Sequence, residues 1–111
     1  MDCIFCKIVK KELPSTLLYE DNDFLAFQDI NPVAPVHLLI VPKKHILSVD
    51  YLEESDKELI GSIFLVAKKI AREKGLEKTG YRLSFNVGPD AGQTVEHLHL
   101  HLMGGKKLSL G

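Results

Sequence analysis

The sequence is short of net charge, of cysteine and of long apolar runs, and each shortage excludes a class of protein. A formal charge of −1 over 111 residues is not the electrostatic footprint of a dedicated nucleic-acid binder. Lysine pairs at 10–11, 43–44, 68–69 and 106–107 read as solvated surface. No run approaches the ~18 apolar residues of a membrane span, so no membrane partner is expected. The first six residues carry neither the basic start nor the apolar stretch of a signal peptide, and the expected compartment is the cytoplasm. Two cysteines there read as reduced thiols or metal ligands rather than a structural disulfide. No repeat or low-complexity tract interrupts the chain. Its length and its 45% hydrophobic content suit one globular domain, residues 1–111.

Against those absences stands one concentration. Three of the five histidines occupy His97, His99 and His101, alternating with Leu98, Leu100 and Leu102 and followed by Met103. Period-2 alternation marks a half-buried strand, with the imidazoles on one face and the leucines in a core. An unperturbed imidazole titrates near 6.5 and serves at neutral pH as base, acid, nucleophile or metal ligand. Three readings follow: an ordinary solvent-facing strand, a zinc site of converging rings, or covalent catalysis by one ring oriented by its neighbours. The preceding stretch 88–94 holds Gly88 and Gly92, then Gln93 and Thr94. Glycines let backbone N–H groups approach an anion, and an amide and a hydroxyl add donors. Histidines and loop together favour catalysis on a phosphate.

The rest of the chain supplies a scaffold. Residues 5–11 form a short helix ending before Pro14. Residues 17–19 and 24–27 read as strands around the turn-forming 20–23. Pro32 and Pro35 keep 31–35 irregular, and 37–41 is an apolar strand closed by Pro42. Ser55 and Glu58 fit a capping box ahead of a long amphipathic helix that ends at Gly75. Residues 81–87 and 97–103 complete about five strands. The fold class is α+β, an antiparallel sheet with one main helix and a short N-terminal helix.

The run from His97 to Met103 resembles the defining motif of the histidine triad superfamily. The resemblance continues through Ile4-Phe5-Cys6-Lys7-Ile8, Leu25-Ala26-Phe27-Gln28-Asp29-Ile30, Ala34-Pro35-Val36-His37, Val41-Pro42-Lys43-Lys44-His45, Ala91-Gly92-Gln93-Thr94-Val95 and Gly104-Gly105. The chain is most similar to the Hint branch, the nucleoside phosphoramidases. That resemblance implies a homodimer with one continuous sheet across its two-fold axis, acting on purine nucleoside 5′-phosphoramidates. His99 would attack the α-phosphorus and form a nucleotidyl-histidine that water hydrolyses to the nucleoside monophosphate. His101 would assist proton transfer, and His97 and His37 would support the network. Asp29 would accept from the ribose hydroxyls, with a turn-capping aspartate before Asn31-Pro32 as the alternative. Phe5, Ile8, Ile30 and Leu39 would form the base slot, a set that core packing explains equally well. Asn86, Gln93 and Thr94 would contact the phosphate.

Some bacterial members resemble this chain further, in a Cys-x-x-Cys pair and a later histidine that hold structural zinc. Transferred here, the ligands are Cys3, Cys6, His45 and His97, with two free thiols as the alternative. No cofactor is expected for catalysis itself. The resemblance fails at the C-terminus: Leu110 stands about where Hint proteins carry a tryptophan, and their Pro-Pro-Gly tail is missing. Leaving-group preference is therefore open. Dinucleoside polyphosphate hydrolysis, a nucleotide-binding regulatory scaffold and a three-imidazole metal site are the competing readings.

Overall fold

The computed structural model describes residues 3–109. Five strands form one antiparallel sheet: β1 (Leu17–Glu20), β2 (Phe24–Gln28), β3 (Val36–Pro42), β4 (Tyr81–Ser84) and β5 (Leu100–Gly104), in the spatial order β1-β2-β3-β5-β4. The main helix, α2 (Lys57–Glu73), and the short α1 (Ile4–Val9) complete the α+β fold expected from the sequence. Among the described residues no helix is long and apolar enough to cross a membrane.

Strand alternation divides the interior in two. Phe24 and Ala26 of β2, Leu38 and Ile40 of β3, and Leu100 and Leu102 of β5 pack against Ile63, Val66, Ala67 and Ile70 of α2. On the opposite face, Leu25, Phe27, Leu39 and Val41 pack against Cys3, Phe5 and Ile8 of the α1 segment. The leucines of the histidine run thus belong to the α2 core, and the histidines share the other face with α1. Both faces are covered, so β2 and β3 read as nearly continuous apolar runs, whereas β5 keeps a clear alternation.

Local chemistry sets the connections. The Asp21 carboxylate accepts from the N–H groups of Asp23 (2.8 Å) and Phe24 (2.7 Å), an Asx turn that closes the β1–β2 hairpin. Helix α1 stops sooner than the sequence suggested. Lys11 turns left-handed (φ 63°) and the Glu12 N–H reaches the Lys7 carbonyl at 2.8 Å, a Schellman-type ending.

The expected capping box is displaced. Ser55 is not the cap of α2; a 3-10 turn over Glu54–Asp56 precedes the helix, and the Asp56 carboxylate accepts from the Glu53 N–H at 3.0 Å. Asp56 is buried and also pairs with Lys44 at 2.7 Å. The capping box thus runs from Glu53 to Asp56 around the 3-10 turn, and Asp56 precedes α2 without a side-chain bond to its N–H groups. At the far end Gly75 is left-handed (φ 73°), as a C-terminal stop requires.

The last two strands are shorter than expected. The ladder between β3 and β5 ends at Ile40 opposite Leu100, and β4 ends at Ser84 opposite His101. Beyond that point the Leu98 N–H goes to the Ile46 carbonyl at 2.7 Å, and the Pro42 carbonyl accepts from the His97 ring at 2.8 Å. Pro42 has no N–H to continue the ladder. His97 and His99 therefore sit ahead of the paired strand, held by bonds of their own.

Candidate active site and metal cluster

The five histidines occupy one side of the sheet, and their hydrogen bonds separate them into three roles. His99 is buried, with Nδ1 2.7 Å from the carbonyl oxygen of His97. A carbonyl only accepts, so Nδ1 carries the proton and Nε2 keeps its lone pair. Burial lowers the His99 pKa, against the carbonyl bond and the charge of Asp29. The ring is thus neutral at physiological pH. Phe5 holds it edge-on, centroids 5.1 Å apart.

His101 is tied to His37. The Val33 N–H donates to His37 Nδ1 at 3.1 Å, which places the His37 proton on Nε2. That Nε2 lies 3.0 Å from His101 Nδ1 and 3.3 Å from the Asp29 carboxylate. His101 accordingly accepts at Nδ1 and carries its own proton on Nε2. Burial first, then the His99 and His37 rings, push the His101 pKa down to about 4, against the pull of Asp29.

That shift has a stability consequence. An unfolded chain takes up a proton at an ordinary imidazole near pH 6.5, whereas folded His101 refuses it until about 4. Between those values only the unfolded state gains the proton, so stability falls as pH drops from about 6.5 towards 4. The urea midpoint at pH 5 should lie below that at pH 7.5, and His101→Gln should flatten the difference. An unchanged pH dependence in that variant would show that His101 has no share in it.

A cavity of about 940 Å³ opens beside these rings, lined by His99 and His101. Phe5, Ile8, Phe27 and Leu39 form its apolar wall, and Asn86, Gly92 and Thr94 approach from the loop before β5. Asp29 and Ile30 stand at its rim, Ile30 being 88% exposed. Asp29 also caps its turn, accepting from the Asn31 N–H at 2.9 Å. The turn-capping reading of Asp29 is thus met by one oxygen, and the other lies 3.3 Å from His37 Nε2.

Gln93 does not reach the cavity. Its Nε2 donates to the carbonyls of Leu47 (2.8 Å) and Val95 (3.0 Å), and its Oε1 accepts from Gly88 N–H at 2.9 Å. The amide is consumed in bracing the loop and is not positioned as the expected phosphate donor. Conversely, Leu13, Pro14, Ser15 and Thr16 line the cavity and were not anticipated. They lie in an irregular segment with no periodic signal. Phe27 could have been found, since period 2 along β2 puts it on the same face as Leu25.

His97 faces away from the cavity. Its Nε2 donates to the Pro42 carbonyl, so the Nδ1 lone pair points at Cys3 Sγ (3.2 Å), Cys6 Sγ (3.5 Å) and His45 Nδ1 (3.1 Å). Cys6 Sγ is also 3.2 Å from His45 Nδ1. A tetrahedral zinc ion with bonds of 2.0–2.3 Å needs donor–donor edges of roughly 3.3–3.8 Å, and the observed separations lie within a few tenths of that. His45 keeps Nδ1 turned into the cluster although its buried Nε2 is left without a partner. Burial, then Cys3, raises the Cys6 pKa, so without a cation the thiol keeps its proton. These four residues form a possible Cys/His metal site. Burial, then His45 and His99, push the His97 pKa down to about 4, which suits an imidazole kept neutral for a metal.

The triad is therefore divided: His97 joins the cysteine cluster, and His101 lies with Asp29 and His37. Among the described residues His97, His99 and His101 do not form one ligand set. Leu110, where the resemblance placed the missing tryptophan, lies outside the described residues.

Known proteins resemble this chain over nearly its whole length. Residues 2–111 match the family model described as scavenger mRNA decapping enzyme C-term binding. The 14 kDa zinc-binding protein of Zea mays is 48% identical over 108 residues, 96% of this chain and 84% of that protein. A HIT family hydrolase of Legionella pneumophila superposes with a TM-score of 0.96 at 50% identity, covering 98% of this chain and 97% of the other. A histidine triad protein of Clostridium difficile gives 0.95 at 52% identity, covering 98% and 95%.

Proposed function

Because the chain belongs to the histidine triad family and is hydrolase-like, we propose that it cleaves the P–N bond of purine nucleoside 5′-phosphoramidates through a nucleotidyl-histidine. The observation that carries this reading is the His99 tautomer. A neutral ring on the cavity wall, with its proton anchored to a backbone carbonyl, is a nucleophile prepared for attack.

In the first step the Nε2 lone pair of His99 bonds to the α-phosphorus as the P–N bond breaks. The leaving nitrogen takes a proton from His101 Nε2, the ring having gained one from water as the anionic substrate bound, and departs as the amine. In the second step water attacks phosphorus, its proton goes to His101, and the electron pair of the N–P bond returns to His99. Thr94, Asn86 and the loop backbone would hold the phosphate, the Asp29 carboxylate the ribose, and Phe5, Ile8, Leu39 and the rim residue Ile30 the base. The electrostatic direction is consistent, since an anionic phosphate opposes the burial that keeps His101 neutral.

Cys3, Cys6, His45 and His97 would hold a zinc ion. Four protein donors leave no open position, so the ion would cross-link the chain rather than activate water. A homodimer is also proposed. The sheet ends at β4, whose outer edge has no neighbouring strand among the described residues, and Phe64 and Leu65 of α2 are 42% and 66% exposed. An open strand edge is a template for pairing, and light scattering of the purified protein tests it.

The catalytic reading is tested by incubating the protein with adenosine 5′-phosphoramidate and, separately, a diadenosine polyphosphate. Faster release of adenosine monophosphate from the phosphoramidate, with a nucleotidyl adduct at His99 in quenched samples, is the expected result. Dominant cleavage of the polyphosphate, or nucleotide binding without turnover of either, would overturn it.

A further inference from the structure

A proton balance at His101 leads to a role for Asp29 beyond the sugar, and this step rests on the reaction proposed above. A neutral imidazole is too weak an acid to protonate a departing amine. The donor has to be the His37–His101 pair carrying one extra proton, taken from water as the substrate binds. The two rings are 3.0 Å apart with the His37 Nε2 proton directed at His101 Nδ1. Adding a proton at His101 Nδ1 would set two N–H groups against each other. The resting contact therefore obstructs the charged state unless the His37 proton has somewhere else to go.

It has one alternative acceptor nearby. The Asp29 carboxylate lies 3.3 Å from the same His37 Nε2. His37 is held by the Val33 N–H at Nδ1, so its proton stays on Nε2 and a small ring rotation redirects it. Asp29 is itself anchored by the Asn31 N–H on its other oxygen. We infer that Asp29 is a positioning residue for proton delivery: acting through His37, it is the fallback acceptor and counter-charge that lets the pair hold the proton given to the leaving group. The groups facing His101 are His99, His37 and Asp29, and of these only Asp29 favours its protonated form.

The proton balances over the cycle. The charged pair gives one proton from His101 Nε2 to the amine as the P–N bond breaks, leaving His101 neutral with its proton on Nδ1 and the His37 proton still directed at Asp29. Water attack on the nucleotidyl-histidine then returns a proton to His101 Nε2, which recharges the pair for the next leaving group.

The test separates this role from ribose binding by changing the leaving group. An alkylamine must be protonated to leave, whereas p-nitrophenolate leaves as an anion. Asp29→Asn keeps an oxygen for the Asn31 N–H and removes the charge. Its kcat should be compared with the parent's on an adenosine 5′-alkylphosphoramidate and on the p-nitrophenyl ester of adenosine monophosphate. Both substrates should bind more weakly, but kcat for the phosphoramidate should fall roughly ten- to a hundredfold more than for the ester. His37→Gln should show the same leaving-group selectivity, and the double variant should add little to either single change. Equal losses on both substrates, or fully additive losses in the double variant, would overturn the inference. Failure of the parent to turn over either substrate would instead strike the proposed reaction itself.

Discussion

Alanine at position 99 should reduce phosphoramidate turnover by a factor of roughly 10⁴–10⁶, the scale of losing a catalytic nucleophile. The size of the expected effect follows from how the site is built. His99 offers the one imidazole on the cavity wall whose proton is fixed to a backbone carbonyl, 2.7 Å away. His101 cannot substitute, because its Nδ1 faces His37 and its Nε2 carries a proton. Fold stability should suffer far less, since the His99 ring contributes edge contacts to Phe5 and His101 and a single hydrogen bond. Binding of adenosine monophosphate should survive within a few-fold in His99→Ala. Turnover within tenfold of the parent would mean that another group attacks phosphorus.

Much of this site was legible because it depends on local alternation. Period 2 places His99 and His101 on the face opposite Leu100 and Leu102, and the same rule puts Leu25 and Phe27 beneath α1. Resemblance then brought distant segments together, as with Cys3 and His97, whose donor atoms lie 3.2 Å apart. What stayed hidden depends on competition for backbone partners. Gln93 looks like a phosphate donor in sequence, but three loop groups claim its amide. The capping box expected at Ser55 and Glu58 forms two residues earlier, between Glu53 and Asp56, where Asp56 gains Lys44 as well as the Glu53 N–H. The His97–Met103 run reads as one strand, yet Pro42 cannot extend the ladder and Ile46 takes the Leu98 N–H. Division of the triad between two clusters has the same origin: which nitrogen of each ring is free depends on a carbonyl or N–H supplied from another segment.

Metal removal should produce the second large effect, and on stability rather than on the chemical step. The four donors come from three separate segments: Cys3 and Cys6 at the start of α1, His45 after β3, and His97 before β5. An ion holding them would pin α1 to the sheet, where the six residues of α1 are too few to be a stable helix alone. At a free metal concentration about 1,000 times Kd, the ion adds about 4 kcal/mol to folding. Chelation should therefore lower the urea midpoint substantially, and Cys6→Ser should lower it in the absence of chelator while blunting the response to one. Cobalt(II) supplies an independent readout, since thiolate ligation gives an intense near-ultraviolet absorption that the serine variant should weaken. Phe5 and Ile8 ride on the pinned helix and line the cavity, so nucleotide affinity should fall together with the midpoint. Metal-depleted protein with an unchanged midpoint, and no cobalt–thiolate band, would leave the cluster as hydrogen-bonded thiols and imidazoles. His97 would then serve the site only through its carbonyl, the oxygen that holds the His99 proton in place.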